Sequence, residues 1–361
     1  MATSHSAMAA PHTMRAAVYR GEGRVAVEQV PRPEVGPGEL LVQVGACGVC
    51  NTDIKKITAD LLPPPRIYGH ETAGTVAAAG DGVTRVRRGD RVVVFHHIPC
   101  GDCFYCQERV YAQCPTYKKV GVTAGFEPAG GGFAEYVRVM DWVAARGVEK
   151  IPDGVTFEEA TFVEPVNTCL KALRTARLKA GEHVLVLGQG TIGVLFLLLA
   201  RRTGAEVFVS DVMDERLKRS SDLGAAGIFN ARRLDVAAAV FPLTGGRGVD
   251  LAVVAAAVPE LVPAALSAVR PGGRVLLFAQ TRRGEQASLP TAEICMDEKQ
   301  VLGSYSADWD LQAESARIVF ERELPLRELI THRFPLSQID SAIELAASPR
   351  PGSLKIVVEC Y

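Results

Sequence analysis

The sequence lacks the features that would place this chain in a membrane or on nucleic acid. Its longer apolar runs, residues 194–200 and 251–258, are far shorter than the roughly 20 residues that a membrane-spanning helix needs. Basic and acidic residues nearly cancel, 40 against 41, and no lysine or arginine run exceeds a pair. This balance argues against nucleic acid and anionic membranes as partners, and against a cysteine-rich nucleic-acid-binding module.

The first residues also lack the apolar segment of a secretory signal, so we expect residues 1–13 to form a disordered leader and the chain to be cytoplasmic. In a reducing compartment, clustered cysteines indicate metal or redox chemistry rather than disulfides. Six of the nine cysteines lie between residues 47 and 114. The other three, Cys169, Cys295 and Cys360, are isolated, and we assign them no function.

The length of 361 residues and the hydrophobic content of 48% predict two folded domains. Short β segments separated by turn signals fill residues 14–139, with a helix expected from Asn51. From about residue 155 strands and helices alternate, which predicts a parallel sheet with helices on both faces. The fold class is therefore α/β, with a β-rich domain beside a doubly wound domain.

A glycine motif follows one of the predicted parallel strands. Residues 184–187 are apolar and run into Gly188-x-Gly190-x-x-Gly193, which opens an apolar helix. The first glycine permits the tight turn, the second lets backbone approach a pyrophosphate, and the third lets helix pack close to strand. The helix begins at Thr191 and Ile192, and the positive end of its dipole there favours the binding of a phosphate. This context predicts a dinucleotide-binding site.

Asp211, at the end of the next strand, predicts which dinucleotide binds. A carboxylate there accepts hydrogen bonds from the ribose 2′-hydroxyl and repels a 2′-phosphate, which favours NAD over NADP. Arg216 lies five residues further on. It either softens that preference, packs along the adenosine ribose, or is a solvated helix charge.

Four cysteines, Cys100, Cys103, Cys106 and Cys114, are spaced for a tetrahedral zinc site. An iron–sulfur cluster is the chemical alternative, but the usual spacing and following proline differ. A closed set of four sulfurs leaves no open position, so we interpret this site as structural.

A second cluster has the mixed ligands of a catalytic zinc site. Cys47 and Cys50 precede His70 and Glu71, and Glu164 lies where the two domains are expected to meet. Three protein ligands with a fourth position open is the catalytic arrangement. Spacing alone does not decide between the two thiols.

Together these motifs resemble the zinc-dependent medium-chain alcohol dehydrogenases. The markers are Cys50-Asn51-Thr52-Asp53, Gly69-His70-Glu71, the four-cysteine segment and the stretch from Gly188 to Asp211. The resemblance covers essentially everything after residue 14. It implies a GroES-like catalytic domain at residues 14–166 and 304–361, with a structural-zinc lobe at about 97–117, and a Rossmann domain at residues 167–303.

The resemblance also implies roles for individual residues. Cys50 is the ligand of a catalytic zinc and Cys47 packs beside it. Glu164 matches the sorbitol and threonine dehydrogenase branch, in which either Glu71 or Glu164 contacts the metal. Zinc lowers the pKa of the substrate hydroxyl, Thr52 accepts the alcohol proton and passes it toward the cofactor ribose, and hydride goes to the nicotinamide.

Three positions, in two segments, set this chain apart or leave alternatives open. Related enzymes often carry histidine where this chain has Lys55. Lys55 either relays the proton with a lowered pKa, or holds a phosphate or faces solvent. His96 and His97 lie in a segment that lines the substrate pocket in the family. Strand alternation would turn one of them inward; alternatively both cap the strand end.

We therefore predict an NAD-dependent and zinc-dependent dehydrogenase with two zinc ions per chain. The expected substrate is a secondary alcohol: a sugar alcohol, cyclitol or aminocyclitol, or an amino-acid alcohol such as threonine. The alternatives are a zinc-dependent carbonyl reductase and a nucleotide-binding protein without catalysis. By resemblance we expect a homodimer paired along residues 300–304, or a homotetramer to which the cysteine lobe contributes.

Overall fold

The computed structural model describes residues 13–117, 130–282 and 284–361. The expected leader therefore lies outside the described residues, except for Thr13, which already belongs to the first strand. The strands are β1 Thr13–Tyr19, β2 Val25–Pro31, β3 Leu40–Gly48, β4 Arg66–Ile67, β5 Glu71–Ala79, β6 Arg91–Val94, β7 Tyr136–Val139, β8 Val148–Lys150, β9 His183–Leu187, β10 Glu206–Asp211, β11 Gly227–Asn230, β12 Val249–Val254, β13 Val269–Leu277, β14 Gln300–Gly303, β15 Ile330–Pro335 and β16 Lys355–Glu359.

The helices connect these strands. They are α1 Asn51–Thr58, α2 Phe104–Gln107, α3 Asp141–Arg146, α4 Phe157–Ala160, α5 Val163–Thr175, α6 Thr191–Arg202, α7 Asp214–Asp222, α8 Val236–Val240, α9 Leu261–Ala268, α10 Thr291–Met296, α11 Gln312–Phe320 and α12 Ile339–Ala347. Among the described residues, no helix combines the length and hydrophobicity that a bilayer crossing needs.

The β-rich half consists of two mixed or antiparallel sheets. One has the order β2-β1-β4, and the other runs β15-β16-β3-β5-β6-β8 with β7 also paired to β3. The last strand, β16, lies antiparallel to β3 and places Val358 opposite Cys47. The C-terminal end of the described chain is thus held directly beside the cysteine motif.

The second half forms a six-stranded sheet in the order β11-β10-β9-β12-β13-β14, and every pairing in it is parallel. Buried apolar clusters cover both of its faces, one including α5 and α6 and the other including α9. The predicted α/β class is confirmed. β14 is an edge strand of this sheet.

One helix begins earlier than its pattern predicts, and the difference matters for the site. The sequence predicts a helix from Thr168, but α5 begins at Val163, so Glu164 lies in its first turn. Pro165 does not prevent this, because the first turn of a helix has backbone N–H groups without intrahelical acceptors.

Candidate metal centre and dinucleotide cleft

The amino end of α1 organises the first cysteine motif. Cys50 is the N-cap residue, and its sulfur accepts a hydrogen bond of 3.5 Å from the backbone N–H of Thr52. The Asp53 carboxylate accepts from the N–H of Cys50 at 3.3 Å, which completes a capping box. These two hydrogen bonds fix the position of Cys50 at the amino end of the helix, where it lines the cleft.

Asp53 also orients His70. Its Oδ1 atom lies 3.0 Å from His70 Nδ1, and both side chains are buried. Burial opposes the charged form of His70, but the Asp53 carboxylate and the Cys50 sulfur outweigh it and raise the imidazole pKa well above its ordinary value. With the Asp53 carboxylate at Nδ1, the Nε2 atom of the His70 ring is left for a metal. No role of Asp53 was predicted from the sequence, although its capping-box position was a usable signal.

Glu71 is held by a lysine that was not predicted from the sequence. Lys355, at the start of β16, forms a buried ion pair with Glu71 Oε2. Burial lowers the pKa of Lys355, but the Glu71 carboxylate outweighs it, and the net shift is upward. Gly48 leaves the room for this pair, because a Cβ atom there would lie 1.9 Å from Glu71 Oε2. Pairing at one oxygen leaves the second carboxylate oxygen for a metal.

Cys50, His70 and Glu71 are brought together as a ligand set, with one donor atom from each lying within 4.8 Å of the others. Thiolate, imidazole and carboxylate fit zinc in number and chemistry, with a fourth position open. Cys47 lies apart from this set on β3, where its sulfur is 3.7 Å from Thr72 Oγ1. Burial raises the pKa of Cys47 well above its ordinary value, as expected for a packed thiol.

Glu164 is buried in the same cleft but pairs with a different partner. Its Oε1 atom lies 3.5 Å from Nε2 of His97. His96 and His97 come after β6, which ends at Val94, so strand alternation does not govern them. Both are buried, with ring centroids 3.7 Å apart, and His97 lines the cleft. The predicted reason for one histidine facing inward is therefore wrong: a loop, not a strand, places them.

The four-cysteine lobe brings its sulfurs to the spacing of a metal site. Cys100 lies 3.8 Å from Cys106 and 3.5 Å from Cys114, and Cys103 lies 3.5 Å from Cys106. Four sulfurs at about 2.3 Å from a tetrahedral zinc would be about 3.8 Å apart. Burial raises the pKa of Cys114, but N–H groups of Cys100 and Tyr117 outweigh it and lower the pKa to about 6. These residues fit a closed zinc site.

The glycine motif has the expected shape at the carboxyl end of β9. Gly188 has a φ of +98°, which favours glycine, and a Cβ at Gly193 would lie 1.8 Å from the Gly188 carbonyl oxygen. At Gly190 the nearest atom to such a Cβ would be 4.0 Å away. No protein atom packs closely against Gly190, so a ligand has room to approach its backbone. The helix α6 begins directly after it, at Thr191.

Asp211 is fixed by backbone groups at the end of β10. Its carboxylate accepts hydrogen bonds from the N–H groups of Gln189 at 2.6 Å, Val212 at 2.7 Å and Met213 at 2.9 Å. Arg216 is not a solvated charge, because its side chain is 17% exposed and its Nη1 atom lies 3.8 Å from Asp211. Both residues line the cleft with the glycine motif.

Lys55 reaches across the cleft mouth from α1. Its amine donates a hydrogen bond to the carbonyl of Gln280, which follows β13. Burial lowers the pKa of Lys55. The amine therefore binds the backbone that follows a strand of the six-stranded parallel sheet. Neither predicted alternative included this arrangement.

One cleft of about 430 Å³ contains these groups, a size typical of small-molecule sites. The ligand set, Thr52, Glu164 and Lys355 lie in its wall together with Gly188, Gly190 and Asp211. A group bound by the glycine motif therefore shares the cleft with any metal held at the first cysteine motif.

Comparisons with known proteins agree with this geometry. Residues 36–153 match the family described as "Alcohol dehydrogenase GroES-like domain", and residues 191–320 match "Zinc-binding dehydrogenase". The chain is 31% identical to a sorbitol dehydrogenase of Bombyx mori, over 95% of this chain and 97% of that protein. It is 33% identical to an L-threonine 3-dehydrogenase of Symbiobacterium thermophilum, over 92% and 93%.

A solved structure has the same fold. A proposed zinc-binding dehydrogenase of Sinorhizobium meliloti 1021, bound to NADP, superposes with a TM-score of 0.87 and 30% identity, covering 96% of this chain and 99% of that one. The predicted β-rich GroES-like part and the Rossmann-type sheet are confirmed.

Proposed function

The chain belongs to the zinc-dependent medium-chain alcohol dehydrogenase family, and on that premise we propose that it oxidises a polyhydroxylated or amino-substituted secondary alcohol with NAD. The reaction converts the alcohol and NAD⁺ into a ketone, NADH and a proton. The observation that carries the proposal is that Cys50, His70 and Glu71 face the same cleft as the glycine motif and Asp211.

A zinc ion at the first motif, held by Cys50, His70 and Glu71, would supply Lewis acidity that lowers the pKa of the substrate hydroxyl. The protein supplies the remaining functions. Asp53 fixes the His70 ring, and Lys355 fixes Glu71. Thr52, in the first turn of α1 beside Cys50, presents the hydroxyl that we assign to proton transfer.

The remaining assignments of metal ligands are also proposals. Glu164 has a partner in His97 and lies outside the set of three close donors, so we assign it to the cleft wall in the resting protein. We propose a second, structural zinc in the four-cysteine lobe. Thiolate ligands kept free of disulfides suit a cytoplasmic location, which we also propose.

The cleft wall supports a polar substrate. Besides the ligand set it presents Glu164, His97, Ser304 and Ser306. These side chains can hydrogen-bond to a substrate with several hydroxyl or amino groups, so the wall suits such a substrate better than a plain aliphatic alcohol. The sorbitol and threonine dehydrogenases among the relatives support the same class. Sugar alcohols, cyclitols, aminocyclitols and threonine-like alcohols remain the candidates.

We propose assembly as a homodimer through the edge strand β14, with a homotetramer as the larger form. β14 leaves one row of backbone groups unpaired within the described sheet, which suits antiparallel pairing with a second copy.

A substrate screen tests the proposal. The purified protein is assayed for NAD⁺ reduction against polyols, cyclitols, aminocyclitols and threonine, with a straight-chain primary alcohol as the control. We expect turnover of at least one polar secondary alcohol at a kcat/KM at least about tenfold above the control. Preference for the primary alcohol would contradict the substrate class, and inertness to every alcohol would contradict the proposed enzyme.

Asp211 is expected to set the cofactor preference. In Asp211→Asn, the charge that repels a 2′-phosphate is lost and fewer acceptors remain for the ribose and backbone. We expect the ratio of kcat/KM for NAD to that for NADP to fall at least about tenfold. Asp222→Asn, on the exposed end of α7, is the matched control and should keep the parent ratio. An unchanged ratio in Asp211→Asn would contradict the assignment of NAD.

Lys55 is expected to act across the cleft rather than in proton transfer. In Lys55→Met the hydrogen bond to Gln280 is lost, and we expect the KM for NAD to rise about three- to tenfold, since hydrogen bonds from charged groups are worth on the order of 1–3 kcal/mol before solvent screening. The pH–rate profile should keep its shape. A profile that loses a limb while KM for NAD stays constant would instead support the proton relay.

A further inference from the structure

Tyr117 lies at the junction of the four-cysteine lobe and the wall of the cleft. We infer that Tyr117 is a positioning residue, which transmits the geometry of the lobe to the cleft wall at residues 304–306. The lobe would then do more than stabilise the chain, because its cysteine site would determine where one side of the substrate pocket lies.

On the lobe side, Tyr117 is tied to a metal-site cysteine. It packs with Cys106 and Cys114 in a small buried cluster. Its backbone N–H donates to the Cys114 carbonyl at 3.0 Å. A shift of Cys114 would therefore displace Tyr117.

On the wall side, the phenol oxygen of Tyr117 holds a strained turn. It lies 2.5 Å from Ser306 Oγ, within hydrogen-bond distance. Ser306 has a φ of +61°, in the left-handed region that costs a non-glycine residue free energy, so this turn persists only where its surroundings hold it. Removing the phenol oxygen would take this hydrogen bond from the Ser306 hydroxyl.

The turn held in this way is part of the cleft. Ser304, Tyr305 and Ser306 line it, and the Tyr117 ring lies 5.2 Å from the ring of His97, another wall residue. Tyr117 itself is not a wall residue, so it acts through Ser306 and His97 rather than by touching a ligand.

A second contact between lobe and wall segment runs parallel to the first. Arg109 and Tyr111, both in the lobe, bind the carboxylate of Asp310, four residues after Ser306. Tyr111 also packs edge-on against Trp309. The lobe thus contacts the wall at Ser306 and the segment after it at Asp310, and Tyr117 is the buried residue among these contacts.

The test removes only the phenol oxygen. Tyr117→Phe keeps the buried ring, and Tyr105→Phe, at an exposed lobe tyrosine, is the matched control. In Tyr117→Phe we expect faster hydrogen–deuterium exchange of backbone amides at residues 304–310. We also expect KM for the alcohol to rise about tenfold, equivalent to about 1.4 kcal/mol, with kcat within about threefold and zinc content unchanged. Tyr105→Phe should match the parent in all four measurements.

A double-mutant cycle separates positioning from general destabilisation. If Tyr117 acts through Ser306, the effects of Tyr117→Phe and Ser306→Ala on KM are less than additive in the double variant. Additive effects, or parent-like exchange and KM in Tyr117→Phe, would overturn the inference. The kinetic readout rests on the proposed function, whereas the exchange readout does not: a parent protein inert to alcohols would refute the function and leave the inference to be decided by exchange.

Discussion

Replacing Cys50 with alanine is expected to remove one of two zinc ions per chain and to lower kcat/KM for the alcohol more than about a thousandfold. Cys50 supplies the thiolate of a three-donor set, and the two donors that remain, His70 and Glu71, are fewer than the three protein ligands of a catalytic zinc site. Loss of Lewis-acid assistance costs several kcal/mol of transition-state stabilisation, and each about 1.4 kcal/mol is tenfold in rate. Zinc is measured by elemental analysis and rate by NAD⁺ reduction.

Cys47→Ala is the matched control for that variant. Cys47 is three residues away and fully buried, but its sulfur contacts Thr72 rather than the donor set. We expect two zinc ions, activity within about threefold of the parent, and a stability loss of roughly 1–2 kcal/mol from the small cavity. If Cys47→Ala lost the zinc and Cys50→Ala kept it, the assignment of the two thiols would be reversed.

Replacing Thr52 with valine is expected to lower kcat by about a hundredfold to ten-thousandfold, the range associated with a positioned proton-transfer group. Valine preserves the shape of the side chain and removes the hydroxyl. Zinc content should stay at the parent value, because Thr52 touches Cys50 through its backbone N–H, which valine retains.

Two further variants show whether the hydroxyl itself is responsible. Thr52→Ser restores the hydroxyl and should recover kcat to within about tenfold of the parent. Thr58→Val removes a hydroxyl from the last turn of the same helix, where it only donates to the Ile54 carbonyl, and should leave kcat unchanged. Comparable loss in Thr52→Ser and Thr52→Val would contradict proton transfer through this hydroxyl.

The fold was largely predictable because its signals are local. Alternating strands and helices after residue 155 define a parallel sheet, and the spacing of Gly188, Gly190 and Gly193 defines the turn into α6. The start of α5 was not predictable, because its first five residues, 163–167, include Pro165 and show no apolar periodicity of their own.

The candidate site was only partly predictable, because half of it depends on long-range pairing. Cys50, His70 and the four lobe cysteines carry motif spacing. Lys355 does not: it meets Glu71 only because β16 pairs with β3. Two other contacts likewise join distant segments: Lys55 binds the Gln280 carbonyl, and Tyr117 binds Ser306. Sequence spacing says nothing about such contacts.

The placement of His96 and His97 illustrates the same limit on a smaller scale. Alternation along a strand is reliable only while the strand lasts, and β6 ends at Val94. The loop that follows brings the two imidazoles into tilted contact and turns His97 toward Glu164. The two-residue alternation of side chains along a strand could not have predicted that arrangement.

The most direct test of the central claim is to follow the transferred hydrogen itself. A polyol that the protein turns over is deuterated at the carbinol carbon and incubated with NAD⁺ and the zinc-loaded protein, and the reduced dinucleotide is analysed by mass spectrometry. We predict one deuterium in each NADH formed, and loss of NADH formation in Cys50→Ala. Reduced dinucleotide without deuterium, or undiminished transfer in Cys50→Ala, would contradict the account.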